Sequence, residues 1–191
     1  ATNYVMFDMG MPTHAFDARA IGTRLGVRSA REGERVRTLD GVQRDLPGGT
    51  LVLTSDDEPI DVAGIMGGEE SGVQSDTRSI VLTSALFDRA AVRKASQALN
   101  LRTDASDRFG KGRTAAHVEA GAARVIALFQ ELTGARLVAL EDRYQRLPKE
   151  KPIAVQSSEI VSLLGLRVPV ARQRAILQSL GCQVTGTNGV L

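Results

Sequence analysis

The chain has 191 residues, of which 42% are apolar and 24% are charged, and its net charge is +2 at pH 7. This composition is ordinary for a globular protein with one good-sized core, or with one domain and a smaller attachment. So small a net charge does not by itself indicate a nucleic-acid partner, and a single cysteine, Cys182, excludes an internal disulfide and a thiolate metal cluster.

The first half of the chain is predicted to be mostly β-structure. A turn through Gly10 and Pro12 carries His14, and the pair Asp40-Gly41 between two alternating runs predicts a β-hairpin. Apolar alternation predicts strands over residues 3–9, 26–30, 50–54, 60–66 and 79–85.

Helical patterns follow in the second half. One helix is predicted from an N-cap at Asp88 to Asn100, and a longer one from Thr114 to Gly134, with the stretch TDASDRFGKG as a polar connection between them. Residues 135–141 return to a strand pattern. The fold class predicted for this part is therefore α+β, with an antiparallel or mixed sheet and helices packed on it.

A linker is predicted at residues 145–152, QRLPKEKP, because the segment is polar, charged and contains two prolines. It separates a first domain, residues 1–144, from a second, residues 153–191. The second domain is interpreted as a strand (IAVQ), two helices (SSEIVSLLG and VARQRAILQSLG) and a strand (CQV), a helix pair that is cut off before it is complete.

The predicted compartment is the cytoplasm. No apolar run approaches the length of a membrane-spanning helix, and the amino terminus lacks the charged and then apolar pattern of a signal peptide. The first residues, ATNYVMFDMG, have no initiator Met, and the last, TNGVL, contain a hairpin-type Asn188-Gly189 pair. We therefore expect the sequence to be a piece of a longer protein.

Residues 61–73, DVAGIMGGEESGV, concentrate four glycines, and such clusters mark places where the backbone closely approaches another group. A phosphate loop is excluded, because Gly67 and Gly72 are not followed by Lys and Ser or Thr and no G-x-G-x-x-G is present. Seven acidic residues and no basic one lie between Ser55 and Asp76, which disfavours any phosphate. A sharp turn between two strands is the structural alternative to a functional role.

Positive charge is concentrated further along the chain. Residues 87–113 carry seven basic residues against three acidic ones, so this segment suits a phosphate backbone better than the acidic one before it. A solvated helix face explains the same charges without any partner.

Three segments hold the candidate site residues. His14 has Asp17 three residues on, and a purely structural role for it stays open, whereas His117 lies in the first turns of the long helix and suits a capping role. Thr103 begins the hydroxyl-rich run TDAS and could be an N-cap only. If these segments meet the glycine cluster, they form a small pocket for a neutral or zwitterionic ligand, without a metal.

Several stretches occur in the order and near the spacing of one known family over almost the whole chain. They are TNYVMFDMGMPTHAFD, REGERVRTLDG, AGIMGGEESGV with Thr77, SALF, LRTDASDRFGKG and LLGLRVPVARQRAILQSLGCQV. On these motifs the chain resembles the β subunit of bacterial phenylalanyl-tRNA synthetase. The resemblance implies the B3/B4 editing domain followed by the start of the winged-helix-like B5 domain.

The resemblance also implies the partners and the cofactors. They are tRNA(Phe) and the synthetase α subunit in a heterotetramer, with ATP and magnesium used by the full ligase and no cofactor or metal in this fragment. Because the synthetic active site of the family lies in the other subunit, the fragment should not aminoacylate.

In the family, the B3/B4 domain hydrolyses tyrosine wrongly attached to tRNA(Phe), because a phenylalanine pocket rejects an added hydroxyl poorly. The resemblance implies that His14 holds the ester or the attacking water as the catalytic residue, that Gly67 leaves room for the aminoacyl group, and that no enzyme nucleophile is used. The substrate-binding residues it implies are Thr2, Asn3, Gly67, Thr103 and Ala105.

Two positions depart from the family pattern. Thr83 stands where the family commonly has a Glu that reads the tyrosine hydroxyl, so we expect Thr83 to bind substrate but to discriminate less sharply. Gly110 and the run from Arg113 to Ala115 also depart from the pattern, at the entry to the long helix. A non-catalytic, structural or RNA-contacting role with a degenerate pocket is therefore the alternative function, and an unrelated ligand-binding protein of similar fold is a third.

Overall fold

The computed structural model describes residues 1–144 and 152–186. By contacts, the chain forms two compact units, Ala1–Asp142 and Arg143–Leu191. The strands are β1 His14–Asp17, β2 Leu25–Ser29, β3 Arg35–Arg37, β4 Gln43–Asp45, β5 Leu51–Ser55, β6 Glu58–Val62, β7 Met66–Gly67 and β8 Ile80–Thr83. The helices are α1 Thr2–Met9, α2 Arg89–Ala98, α3 Asp104–Lys111, α4 Ala115–Thr133, α5 Ser157–Leu164 and α6 Val170–Ser179.

The strands of the first unit form three antiparallel sheets. The largest has the order β2-β5-β6-β7, and β1 pairs with β8 while β3 pairs with β4. The last pair is the hairpin predicted around Asp40-Gly41. The predicted α+β class with an antiparallel sheet is confirmed, as are the strands near 26–30, 50–54 and 79–85.

The four-stranded sheet is covered on both faces. Val52 and Val62 lie opposite each other on β5 and β6, and they share a buried cluster with Val92 of α2 and Phe109 of α3. The neighbouring Leu53 belongs to a second cluster, with Phe16 of β1. Because successive strand residues point to opposite faces, helices α2 and α3 cover one face and the β1–β8 pair covers the other.

Helix α1 contradicts the strand predicted over residues 3–9. Val5 is fully buried in a cluster with Val125 and Leu128 of α4, and Met9 packs against the same cluster. Residues four apart share a helix face, so the helical form places Val5 and Met9 together on α4. Gly10 then ends the helix in the left-handed conformation, with φ 70°.

The glycine cluster breaks the strand predicted over residues 60–66 into β6 and β7. Gly64 turns the chain between them with φ 71°, and a Cβ there would lie 2.9 Å from the Phe87 ring and 3.2 Å from the Phe109 ring. A Cβ on Gly68 would collide with the carbonyl oxygen of Ile60, which accepts the Gly68 N–H at 3.1 Å. The sharp turn and the close backbone approach are therefore both present.

Two further predictions for this unit are wrong. TDASDRFGKG is not a connection, because Asp104–Lys111 forms α3, and residues 135–141 form no strand. Helix α3 is stabilised by a capping box in which Thr103 and Ser106 bond each other's backbone N–H groups. The long helix α4 follows the prediction, with Thr114 and His117 as its capping box and Gly134 at its end.

The second unit contains the predicted helix pair, α5 and α6. The buried side chain of Gln173 donates hydrogen bonds to Ser157 Oγ at 2.8 Å and to the Val168 carbonyl at 2.7 Å, and so connects the two helices. The prediction of strands at IAVQ and CQV is wrong, because these residues form no strand and only Gln156 makes an isolated β-bridge. A strand requires a neighbouring strand to satisfy its backbone, and the described part of this unit offers none.

Some predictions fall on residues that the structure does not describe. Residues 145–151 of the linker and the Asn188-Gly189 pair lie outside the described residues, so the linker, the 1–144 boundary and the winged-helix-like character stay predictions. None of the helices described is long and apolar enough to cross a membrane.

Candidate functional site

The three segments that hold the candidate residues meet beside the four-stranded sheet. His14 on β1 lies against Gly67 on β7, because a Cβ on Gly67 would lie 2.7 Å from His14 Nε2. Thr103, at the start of α3, bonds the backbone of Ile65, two residues before Gly67. An imidazole, a bare backbone position and a helix cap thus come together from distant parts of the sequence.

His14 lies in β1, not in the turn predicted for it, and its ring is packed between strands. The ring meets Phe16 edge to face, with centroids 4.5 Å apart and an interplanar angle of 71°. Its Nε2 is buried without a hydrogen-bond partner among the described residues. Burial lowers the pKa of His14 below its usual value, because a charged imidazolium is poorly solvated there. At neutral pH the ring is therefore uncharged, with one nitrogen able to accept a hydrogen bond.

The packing of the His14 ring explains why residue 67 is a glycine. The ring of His14 occupies the place where any side chain at position 67 would begin. Gly67 therefore presents bare backbone to the imidazole, and a ligand that approaches Gly67 must share the space with the His14 ring.

Thr103 links α3 to the turn before Gly67 by hydrogen bonds. Its Oγ1 donates to the Ile65 carbonyl at 2.7 Å and accepts the Ser106 N–H at 3.0 Å. The hydroxyl is thus already engaged as a cap and as a cross-link. Ala105, two residues on, packs at the edge of the cluster that contains Val62 and Phe109.

Thr83 lies directly opposite His14 in the β1–β8 pair, so the two side chains share one face. Its Oγ1 donates to the His14 carbonyl at 3.3 Å. Like Thr103, Thr83 holds a neighbouring segment in place.

Thr2 and Asn3 lie in the first turn of α1. Helix α1 packs on α4, and the Met6 carbonyl accepts a hydrogen bond from Arg108 Nε of α3 at 3.2 Å. The structure thus joins α1 to the helix that Thr103 caps, but it describes no direct contact of Thr2 or Asn3 with His14 or Gly67.

A family model for the B3/4 domain matches residues 1–134, which span α1 through α4. The chain belongs to the B3/4 domain family.

Similar proteins include the phenylalanine–tRNA ligase β subunits of Gloeobacter violaceus, 38% identical, and Halalkalibacterium halodurans, 39% identical. The matches cover 96% and 98% of this chain, and 23% of each relative. The β subunit of Pseudomonas fluorescens is 37% identical over 96% of this chain and 24% of its own length. The chain spans about a quarter of the length of these relatives, and the family resemblance found in the sequence is confirmed.

A carboxyl group that sequence reasoning did not single out lies in the same layer of this B3/4 domain. Asp61 is 5% exposed and lies directly opposite Gly67 in the β6–β7 pair. Burial raises the pKa of Asp61 to about 7. The only sequence signal was that Asp61 is an acidic residue in the otherwise apolar run predicted as a strand over residues 60–66.

Several other acidic residues of the B3/4 domain pair with arginine side chains. Asp17 accepts hydrogen bonds from Arg19 and Thr77, and these partners hold its pKa well below the usual range. Among the described residues, no three His, Cys, Asp or Glu side chains are grouped so as to hold a metal ion. A cleft between residues 47–50 and helix α2 contains none of the candidate site residues.

The double role of Thr103 leads to a stability prediction. Thr103→Ala removes an N-cap and leaves the Ile65 carbonyl without its donor, so we expect the free energy of unfolding to fall by about 2–4 kcal/mol. Thr103→Ser keeps the hydroxyl and should lose less than about 1 kcal/mol. Urea denaturation of both variants measures the difference, and equal losses in the two would contradict the role of the hydroxyl.

Proposed function

We propose that this B3/4 domain hydrolyses the ester of tRNA(Phe) mischarged with tyrosine. The observation that carries the proposal is the neutral imidazole of His14, whose Nε2 lies against the bare backbone of Gly67 and has no hydrogen-bond partner in the described part of the chain. The names of the relatives, phenylalanine–tRNA ligase β subunits, supply the substrate class.

The proposed reaction uses water as the nucleophile. Water attacks the ester carbonyl carbon, the bond from that carbon to the ribose oxygen breaks, and the ribose oxygen leaves with a proton. A neutral His14 accepts a hydrogen bond from the water or from the neighbouring ribose hydroxyl, which orients the attack. Gly67 and Ala105 carry no nucleophilic group, and the hydroxyls of Thr83 and Thr103 donate to backbone carbonyls, in keeping with a water mechanism.

Helix α1 offers a surface that suits the single-stranded end of a tRNA. Tyr4 and Phe7 are exposed, at 54% and 62%. The guanidinium of Arg124 lies 6.0 Å from the Tyr4 ring centroid, and that of Arg108 lies 5.0 Å from the Phe7 ring centroid. Exposed aromatic rings stack with bases, and arginines pair with phosphates. Because Thr2 and Asn3 lie on the same helix, α1 would bring the RNA end to the site.

The proposal includes an assembly, because the relatives are named as β subunits and a β subunit implies an α subunit. As part of a β subunit, the domain works beside an α subunit that carries out aminoacylation with ATP and magnesium. Its own contribution is limited to binding the aminoacylated end and removing tyrosine.

The test is the release of tyrosine from Tyr-tRNA(Phe), with Phe-tRNA(Phe) and a protein-free reaction for comparison. A Trp side chain at position 67 would begin where the His14 ring lies and would displace that ring, so we expect release to fall to the uncatalysed rate. Gly48→Trp is the matched control, because a Cβ at Gly48 meets nothing within 4 Å, and it should retain the wild-type rate.

The same assay decides between this proposal and the alternative role. The engagement of the Thr83 and Thr103 hydroxyls within the protein is the observation that favours a non-catalytic, RNA-contacting role. Equal and slow release by the wild type and both variants would support that role instead.

A further inference from the structure

Four basic side chains lie together around the end of helix α3. We call them the cationic cluster, and they are Arg89, Arg93, Lys111 and Arg113. A Cβ on Gly110 would lie 3.0 Å from Arg93 Cγ, and one on Gly112 would lie 3.8 Å from Arg89 Cδ. The stems of both α2 arginines therefore lie over the two glycines that flank Lys111, which places their charges beside the end of α3.

Arg113 is held in place by backbone carbonyls. Its Nε donates to the Gly112 carbonyl at 2.7 Å, and its Nη1 donates to the carbonyl of Gly10, at the end of α1, at 3.1 Å. Its Nη2 forms no hydrogen bond within the described part of the chain. Because neutral carbonyls do not cancel a charge, the guanidinium is fixed beside α1 and available to an anion.

No carboxylate pairs with the cationic cluster. None of the ion pairs of the described residues involves any of its four members. The carboxylates of α3 are taken up in the ion pairs Asp104–Arg108 and Asp107–Arg102. Asp8 of α1 and the N-cap Asp88 of α2 are in no ion pair within residues 1–144 and 152–186, so the cations remain in excess.

The arginines of the strand-rich part of the domain are different, because most of them are neutralised. Those that pair with an Asp or a Glu are Arg19, Arg28, Arg31, Arg35, Arg37 and Arg44. Neighbouring like charges repel each other, and a bound anion removes that repulsion. The unpaired cluster therefore favours an anionic partner over a merely solvated surface.

The cationic cluster continues the exposed surface of helix α1. From Tyr4 to Gly10 the chain rises about 9 Å along the helix, at about 1.5 Å per residue. Three contacts follow in order over this length: Arg124 lies over the Tyr4 ring, Arg108 lies over the Phe7 ring, and Arg113 bonds the Gly10 carbonyl. Exposed rings and arginines thus lead along α1 to the cluster.

We propose that the cationic cluster binds the phosphate backbone of an RNA strand whose bases stack on Tyr4 and Phe7. That this strand belongs to tRNA(Phe) rests on the function proposed above. A nucleic-acid strand presents phosphates and bases side by side, which matches a surface of arginines and exposed rings. An acidic protein surface would match the arginines but would leave the rings without stacked partners.

Binding of uncharged tRNA(Phe) tests the cluster without any hydrolysis. A fluorescein-labelled transcript is titrated with the 191-residue chain, and its anisotropy is followed at several KCl concentrations. In the double variant Arg89→Gln/Arg93→Gln, Kd at about 0.1 M KCl should rise at least about tenfold. The slope of log Kd against log KCl concentration should fall by about 1.4–1.8, because each lost phosphate contact removes about 0.7–0.9.

Arg24→Gln/Arg78→Gln is the matched control. It removes the same charge from two arginines that are exposed and that, in the described ranges, are in no ion pair. Arg24 precedes β2 and Arg78 precedes β8, so neither belongs to the surface of α1, α2 and α3. Its Kd should stay within about twofold of the wild type, with the slope unchanged. Thermal unfolding checks that both double variants are folded.

Phe7→Ala distinguishes an RNA strand from another anionic partner. It removes an exposed ring but no phosphate contact, so Kd for the transcript should rise while the salt slope stays the same. If Phe7→Ala leaves the binding of the transcript unchanged while Arg89→Gln/Arg93→Gln weakens it, the cluster recognises negative charge alone. The assignment to an RNA strand would then be overturned.

The outcomes separate this proposal from the proposed function. A wild type that does not bind the transcript, or equal losses in the two double variants, would overturn the role of the cluster, whether or not the chain releases tyrosine. Weakened binding in the cluster and Phe7 variants alone, in a chain that releases no tyrosine, would support the role of the cluster and contradict the proposed hydrolysis.

Discussion

Replacing His14 with alanine is expected to lower the rate of tyrosine release by about 100- to 10 000-fold, the usual contribution of a positioned acid–base group. The reason is that Nε2 is a buried ring nitrogen beside Gly67 that has no hydrogen-bond partner among the described residues. Without it, water near the ester loses its orienting hydrogen bond. Removing the ring also opens space beside Gly67, so substrate binding should weaken less than the rate.

The pH dependence distinguishes catalysis from packing. Because burial lowers the pKa of His14, the release rate of the wild type should rise with pH and then reach a plateau. The midpoint of this rise should lie below the ordinary pKa of 6.5. This limb should disappear in His14→Ala. His117→Ala is the control, because His117 is an exposed capping residue of α4 and its loss should leave the rate unchanged. A wild-type rate that does not depend on His14 would rule out the proposed catalytic role.

Elements with strong local signals were predicted from sequence. The hairpin at Asp40-Gly41 and the helix from Thr114 to Gly134 both match the structure. In each case the deciding residues lie within the element: a turn pair in the first, caps and a helical apolar stripe in the second. The local sequence was sufficient to predict these two elements, because their form does not depend on contacts with distant residues.

Elements decided by distant contacts were not predicted. The first residues alternate well enough for a strand, but Val5 is buried against Val125 and Leu128, and this packing selects the helix. The break at Gly64 has a similar cause, since the rings of Phe87 and Phe109 occupy the space a side chain would need. Neither contact could be predicted from a short stretch of sequence, because the residues in contact lie far apart in the chain.

The candidate site was foreseen in part. The residues alone offered His14, the glycine cluster and Thr103 as candidates, each with a structural alternative, and the structure brings these segments together. That they meet could not be derived from spacing, and the resemblance to a known family supplied the expectation. Neither the residue pattern nor the resemblance predicted the hydrogen bond from the Thr103 hydroxyl to Ile65, because a capping threonine and a threonine in a pocket wall have the same sequence pattern.

Asp61 was missed because burial is not a local property. In the sequence it is one of seven acidic residues between Ser55 and Asp76, a segment that suggests an acidic surface. In the structure, Asp57 and Asp76 of this group are exposed in ion pairs, whereas Asp61 points into the layer beside His14. Which of several acidic residues enters the interior depends on strand register, and register is fixed by the pairing of β6 with β5 and β7.

Asp61→Asn is expected to make the fold less sensitive to rising pH. Folding raises the pKa of Asp61 from 3.8 to about 7. The carboxyl group therefore binds its proton more tightly in the folded protein than in the unfolded chain. The stabilising effect of the protonated form is complete below the unfolded pKa and is lost as pH rises through the folded one. Above that range the buried charge lowers the free energy of unfolding by about 4 kcal/mol, at about 1.4 kcal/mol per pKa unit.

The difference between wild type and Asp61→Asn isolates this effect. Carboxylates with lowered pKa values, such as Asp17 and Glu34, lose their stabilising effect as pH falls, but they are present in both proteins and cancel. The one titratable neighbour identified on the same face, His14, is present in both as well. Denaturant unfolding should show the Asn variant gaining about 2–3 kcal/mol relative to the wild type between about pH 5 and about pH 8. A difference that stays constant over this range would mean that Asp61 is solvated or paired in the folded state.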